Sequence, residues 1–186
     1  VIETEARLVR GVERVDLRVR SDNTAKDHRL RLLFPTGSPV QEFTAATTFD
    51  ITRRQTAPRD ATGWVHPAPS TFMQQGFVSA NGLTVAAPGL PEAEVTPAGV
   101  VAITLVRAVG WLARMDLTTR PQPAGPVIPT PGAQCLERIE AHLALFVGAD
   151  AGAARDAELG LRAVAAGAAP LVPAGCALIA VEPREI

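Results

Sequence analysis

The residues able to do chemistry in this chain are few and scattered. Its three histidines are His28, His66 and His142. His28 shares a polar stretch with Asp22 and Asp27, so a divalent metal could be imagined there. Zinc wants three or four converging ligands, and the chain has no paired spacing such as His-x-x-x-His. The simpler reading is that Asp22 and Asn23 cap a turn through their side chains. Lys26, Asp27, His28 and Arg29 would then form a surface or interdomain polar network. An acid and a base could also converge on one sheet face, as His142 with Glu140 or Glu92. His142 lies between Ala141 and Leu143 in a strand pattern and should point away from both. Sugar rings pack on flat aromatic faces. With no Tyr, two Trp and six Phe, the chain offers one credible platform, Trp64. Trp111 lies in an apolar run and is expected in the core.

The elements that must hold these residues read as strands. Val15, Leu17 and Val19 alternate with Arg14, Asp16, Arg18 and Arg20, the pattern of a half-buried strand. Arg29 to Phe34 reads as another, stopped by Pro35-Thr-Gly37. Phe43, Ala45, Thr47, Phe49 and Ile51 alternate as one further strand. Residues 53–70, rich in Pro, Thr, Arg and Gly, form a long loop. Asn81-Gly82 between Phe77-Val-Ser-Ala and Leu83-Thr-Val-Ala predicts a hairpin with a type I′ turn. Gly99 to Val106 is apolar almost throughout, as expected of a central strand covered on both faces. Pro121 to Gly132 is too rich in Pro and Gly for regular structure. Ile139 to Val147 is again a strand.

Residues 151–168 are rich in Ala and predict a short helix, capped by Asp150 and ended by Pro170 and Pro173. A last strand follows over 176–183. Eight or nine strands and one helix predict an antiparallel β-sandwich.

Composition excludes several classes. The chain of 186 residues is 47% hydrophobic and 20% charged, with a net charge of −1. No strong field directs it to nucleic acid, and no basic stripe is interleaved with aromatics. Arg53-Arg54 is a lone pair and reads as solvated. No apolar run approaches the roughly 20 residues that span a bilayer. The chain opens in a strand pattern without a signal stretch, so the expected compartment is the cytoplasm. Cys135 and Cys176 read as two thiols in a core rather than a disulfide scaffold.

Five segments together carry a resemblance. They are Asp22-Asn-Thr-Ala-Lys-Asp-His-Arg29, Leu33-Phe-Pro-Thr-Gly37, Arg107-Ala-Val-Gly-Trp-Leu-Ala-Arg114, Ala124-Gly-Pro126 and Thr130-Pro-Gly-Ala-Gln-Cys135. In this order and spacing they resemble the C-terminal region of glycoside hydrolase family 38, the α-mannosidases. The likeness runs from about Val12 to about Val181. It implies a sandwich of the galactose-mutarotase type, packed on an N-terminal catalytic α/β barrel of the same polypeptide. It further implies that residues 1–186 are one C-terminal sandwich piece of a larger hydrolase, whose last strand leads into a further segment.

Members of that family cleave α-mannosides with retention, through a carboxylate nucleophile and a second carboxylic acid. Zinc in the barrel binds the sugar hydroxyls through His and Asp side chains of that domain. None of those motifs is present here, so the resemblance assigns this chain no catalytic residue and no metal ligand. One loop, Gly89-Leu-Pro-Glu-Ala-Glu-Val95, corresponds to a loop that approaches the sugar. Related sequences carry Asn and a polar residue before this Gly-Leu-Pro, where this chain has Ala87 and Pro88. Glu92 and Glu94 remain as the charged residues able to face substrate. The expected role is a non-catalytic wall and brace, inactive in isolation. The alternatives are a stand-alone carbohydrate-binding module and, by fold analogy alone, a mutarotase-like epimerase.

Overall fold

Alternation of apolar and polar side chains gives each strand one face to bury, and two such faces must meet. The computed structural model describes residues 1–148 except 118, 119, 121, 123 and 124, together with Ala154. Eleven strands lie among the described residues, all paired antiparallel. In chain order they are β1 (Ile2–Leu8), β2 (Val15–Asp22), β3 (Arg29–Pro35), β4 (Glu42–Thr47), β5 (Asp50–Gln55) and β6 (Thr71–Met73). There follow β7 (Phe77–Ala80), β8 (Leu83–Ala86), β9 (Glu92–Val95), β10 (Val100–Arg107) and β11 (Arg138–Val147). A seven-stranded sheet has the order β1-β2-β11-β8-β7-β4-β5, and a four-stranded sheet the order β3-β10-β9-β6.

The two sheets share one core. From the large sheet it takes Val19, Phe43, Ala45, Val78, Val85, Ala141 and Leu143. From the small sheet it takes Ala93, Val95, Val101 and Ile103, with Leu32, Phe34 and Phe72 packed alongside. The predicted all-β sandwich is therefore the observed architecture. The middle of the large sheet is also apolar on its other face, where Ala46, Phe77, Ala86, Ala144, Phe146 and Ala154 cluster. The helix expected over 151–168 and the strand over 176–183 lie outside the described residues, Ala154 excepted. So does Cys176, while Cys135 is half-buried.

β10 is central, as its apolar run requires. It pairs with β3 on one side and β9 on the other. Val101, Ala102, Ile103 and Thr104 are buried in succession, so both of its faces are covered. Asn81 and Gly82 have φ of 49° and 74°, the left-handed pair that a type I′ turn needs.

The alternation over 43–51 does not form one strand. It forms the β4–β5 hairpin, with Thr47 opposite Asp50. The two-residue turn reverses the parity: Ile51 pairs with Ala46 and lies on the face opposite to Phe43 and Ala45. Because this part of the sheet is apolar on both faces, the reversal leaves no mark in the sequence. Phe49 occupies the turn at φ 64° with its ring fully exposed, a costly place for a bulky residue. Arg54 is not simply solvated, because its guanidinium carbon lies 5.1 Å from the centre of the Phe72 ring.

Candidate functional site

Three of the segments that carry the resemblance, those around Asn23–Asp27, Gly110 and Gln134, meet at one end of the sandwich. The chain leaves β2 at Asn23, whose Nδ2 donates to the carbonyls of Gln134 (3.1 Å) and Cys135 (2.8 Å). Asn23 Oδ1 accepts from the Ala25 N–H at 3.2 Å, the expected side-chain-capped turn. Asp27 lies in the left-handed region at φ 51°. Its N–H donates to Gln134 Oε1 and its Oδ1 accepts from Gln134 Nε2, both at 2.9 Å. Gln134 sits in a 3-10 turn over Pro131–Gln134 and is buried. Gly110 passes against this pair: a Cβ there would stand 2.8 Å from Gln134 Nε2 and 3.2 Å from Asp27 Oδ1.

From this knot the chain runs out and returns as an arm. Val109 N–H donates to the Ala133 carbonyl at 3.0 Å, Thr130 N–H to Gly110 at 2.8 Å, and Leu112 N–H to Ile128 at 2.9 Å. Trp111 bridges to Pro129. Trp111 is 43% exposed, which corrects the expectation that it lies in the core. The physical reason is its position beyond the end of β10. Its apolar neighbours line an arm leaving the sandwich, and apolar content alone cannot distinguish an arm from a strand.

Glu92 and Glu94 lie in β9 rather than in a loop, which corrects the expected element. Both point to the outer face of the small sheet. Glu92 Oε1 accepts from Arg29 Nη2 and from Thr104 Oγ1, each at 2.8 Å, while Arg107 Nη1 stands 3.6 Å from Oε2. Glu94 Oε2 pairs with Arg31 Nη1 at 2.5 Å. These carboxylates are occupied by cations and a hydroxyl, an arrangement suited to holding arginines in place. Trp64 lies in the connection between β5 and β6 and is 57% exposed, as a ring-binding platform requires.

A third group, on the outer face of the large sheet, is arranged by strand register. Arg18 lies opposite His142 and Arg20 opposite Glu140. Glu140 Oε1 accepts from Arg18 Nε at 2.9 Å and lies 2.8 Å from His142 Nε2, while Oε2 accepts from Arg20 Nε at 3.2 Å. Beside them opens a cleft of about 360 Å³ whose walls include Arg7, Arg14, Arg18 and His142. His142 therefore does meet Glu140, and Glu92 lies on the other sheet. The hydrogen bond from His142, then Arg18, then the charge of Arg20, hold the Glu140 carboxyl down at about 2. A general base works best with a pKa near the working pH, so the Glu140 carboxylate is poorly tuned for proton abstraction.

The lowered value has a thermodynamic consequence. A carboxylate with a depressed folded-state pKa contributes stability above its unfolded value of about 4.3, and that contribution is lost as pH falls towards 2. Replacing His142 by Gln is expected to raise the midpoint of the Glu140 carboxyl resonance in an NMR titration. An unmoved midpoint would show that the two arginines alone hold it.

Among the described residues, no three His, Cys, Asp or Glu side chains are grouped to hold a metal ion. The described residues therefore do not fit the zinc that the resemblance implies for the whole enzyme. His28 Nδ1 and Thr130 Oγ1 are enclosed without a hydrogen-bond partner, but they bring no carboxylate or thiolate together. No helix among the described residues is long and apolar enough to cross a membrane.

No family model matches the chain. It is 35% identical over 148 residues to a putative mannosylglycerate hydrolase of Halalkalibacterium halodurans, a match covering 78% of this chain and 15% of that protein. Among known structures it resembles an alpha-mannosidase from Enterococcus faecalis V583, with a TM-score of 0.66 and 29% identity. It likewise resembles a glycosyl hydrolase family 38 protein from Enterococcus faecalis, with a TM-score of 0.63 and 27% identity. Each structural match covers 78% of this chain and 15% or 16% of the other. The chain thus spans about 15% of the length of the relatives it matches.

Proposed function

We propose, from the premise that this chain has the sequence and fold of a C-terminal β-sandwich segment of glycoside hydrolase family 38, that it is the non-catalytic brace of a retaining, zinc-dependent α-mannosidase-like hydrolase. Its partner is a catalytic barrel of the same polypeptide, which supplies the zinc ligands, the nucleophile and the acid for an α-mannoside. The sandwich supports that barrel and forms one wall of the sugar site. The observation that carries this reading is the proportion of the matches: most of this chain corresponds to a small part of larger hydrolases. On this reading Glu92 and Glu94 act towards the sugar side by fixing Arg29, Arg31 and Arg107. The proposed compartment is the cytoplasm. The test is an assay of the purified chain against an aryl α-mannoside with zinc supplied, in which no hydrolysis is expected.

The exposure of Trp64 favours one second reading, a carbohydrate-binding module. On that reading, titration with mannose is expected to shift Trp fluorescence in the native chain and not in Trp64→Ala. Identical responses from the two proteins would remove it.

A further inference from the structure

The arm after β10 is hard to explain as a free surface. It presents Trp111, Leu112 (62% exposed) and Met115 (69% exposed) on its outgoing limb, and half-exposed Val127 and Ile128 on its return. Cross-limb hydrogen bonding and the Trp111–Pro129 bridge bring the two limbs together. An isolated two-stranded ribbon has little stability in water, and a contiguous patch of large apolar side chains marks an interaction surface. Yet the base of the arm is fixed by the buried Gln134, by Asp27 and by the close passage of Gly110, where a Cβ would stand 2.8 Å from Gln134 Nε2. A ridge held rigidly and left uncovered is preorganised for a partner, which lowers the ordering cost of association.

The chemistry of the ridge selects among occupants. A notch of about 370 Å³ beside Trp111 is lined by Arg114, Met115, Asp116 and Val127. The polar groups at its rim are already spent on each other: Arg114 Nε and Nη2 meet Asp116 Oδ1 and Oδ2 at 2.8 and 2.5 Å. A sugar needs free donors and acceptors beside the aromatic ring, and here the ring's neighbours are aliphatic or paired. Aromatic, Met and Arg side chains around an apolar centre with a paired ionic rim are instead the anatomy of a protein interface. The relatives extend far beyond the segment this chain matches, so polypeptide able to cover the ridge exists in proteins of this kind.

We propose that the Trp111–Met115 and Val127–Ile128 ridge is the docking seam for the catalytic part of the same polypeptide, with the notch beside Trp111 receiving a side chain from it. This rests on the function proposed above and adds the surface through which the brace acts.

Hydroxyl-radical footprinting, read by mass spectrometry, tests it on the parent hydrolase and on the 186-residue chain at low micromolar concentration. Trp111 and Met115 are expected to oxidise at least about tenfold more slowly in the parent, as covered groups do relative to exposed ones, while Phe49 at the β4–β5 turn reacts alike in both. Equal oxidation of Trp111 and Met115 in an active parent would overturn the seam and leave the brace reading intact. Protection that appears in the short chain and rises with its concentration would assign the ridge to a second copy and overturn it too. As a second readout, the double substitution Trp111→Asp and Met115→Asp is expected to leave the melting temperature of the short chain unchanged and to lower that of the parent. An unchanged parent would count against the seam.

Discussion

Gly99→Ala is expected to destabilise the fold by about 2–5 kcal/mol, the combined size of a left-handed backbone penalty and an overpacked contact. Gly99 has φ 83°, and a Cβ there would stand 1.8 Å from the Ser38 carbonyl oxygen. That oxygen belongs to backbone and cannot swing away. The same turn is tied across the sandwich: Thr36 N–H donates to the Gly99 carbonyl at 2.8 Å, and Asn81 Nδ2 donates to Ser38 O at 2.9 Å. Making room for the methyl therefore pulls on the β3–β4 connection and on the β7–β8 hairpin together. Gly11→Ala is the matched control, since Gly11 shares the positive φ of 82° and meets nothing within 4 Å. For a domain of this size each kcal/mol moves the melting temperature by about 2–4 °C. Thermal unfolding should place Gly99→Ala well below Gly11→Ala; coincident melting curves would mean that the close approach is not enforced.

Phe77→Ala is the second large effect, at about 3–5 kcal/mol. Phe77 is 1% exposed on the outer face of the large sheet. It clusters with Ala46, Ala86, Ala144, Phe146 and Ala154, with Ile51 packed alongside. Phe77 and Phe146 are the two large rings of a cluster otherwise built of alanines and Ile51. Alanine neighbours have no flexible side chain with which to close the void, so the cavity cost stays near the top of its range. Denaturant unfolding is expected to show a lower midpoint with an unchanged slope. A loss below about 1 kcal/mol would show that this face collapses more freely than its packing indicates.

Both effects arise where the sequence was legible in part. Alternation exposed β2, β3 and β11, and Asn81-Gly82 exposed the β7–β8 turn, because a period of two and a turn needing positive φ are local properties. Phe49 was not legible as a turn residue, since nothing local distinguishes a strand that continues from one that folds back in two residues. The second apolar face of the large sheet was partly hidden too. Phe77, Ala86 and Ala144 sit in runs whose neighbours are also apolar, so alternation gave them no side.

The candidate sites divide in the same way. Glu92 and Glu94 were singled out, yet their engagement with Arg29, Arg31 and Arg107 depends on the β3-β10-β9 register. Glu140 and His142 were named as a conceivable pair, and register does bring them together. What the sequence could not show is that Arg18 and Arg20 arrive with them and depress the acid. The knot of Asn23, Asp27, Gly110 and Gln134 was present in the sequence only as three separate segments of the resemblance. Their connection became visible in three dimensions: they are one hydrogen-bonded junction, 107 residues apart in sequence at Asp27 and Gln134.

The central proposal, that this 186-residue segment braces a catalytic centre supplied by another part of the same polypeptide, is tested most directly by turnover. The purified 186-residue chain, supplied with zinc, is to be assayed with an aryl α-mannoside beside the parent hydrolase at equal molar concentration. The account predicts release of the aryl group by the parent and none above the enzyme-free background by the chain. Zinc-dependent turnover by the chain alone would contradict it.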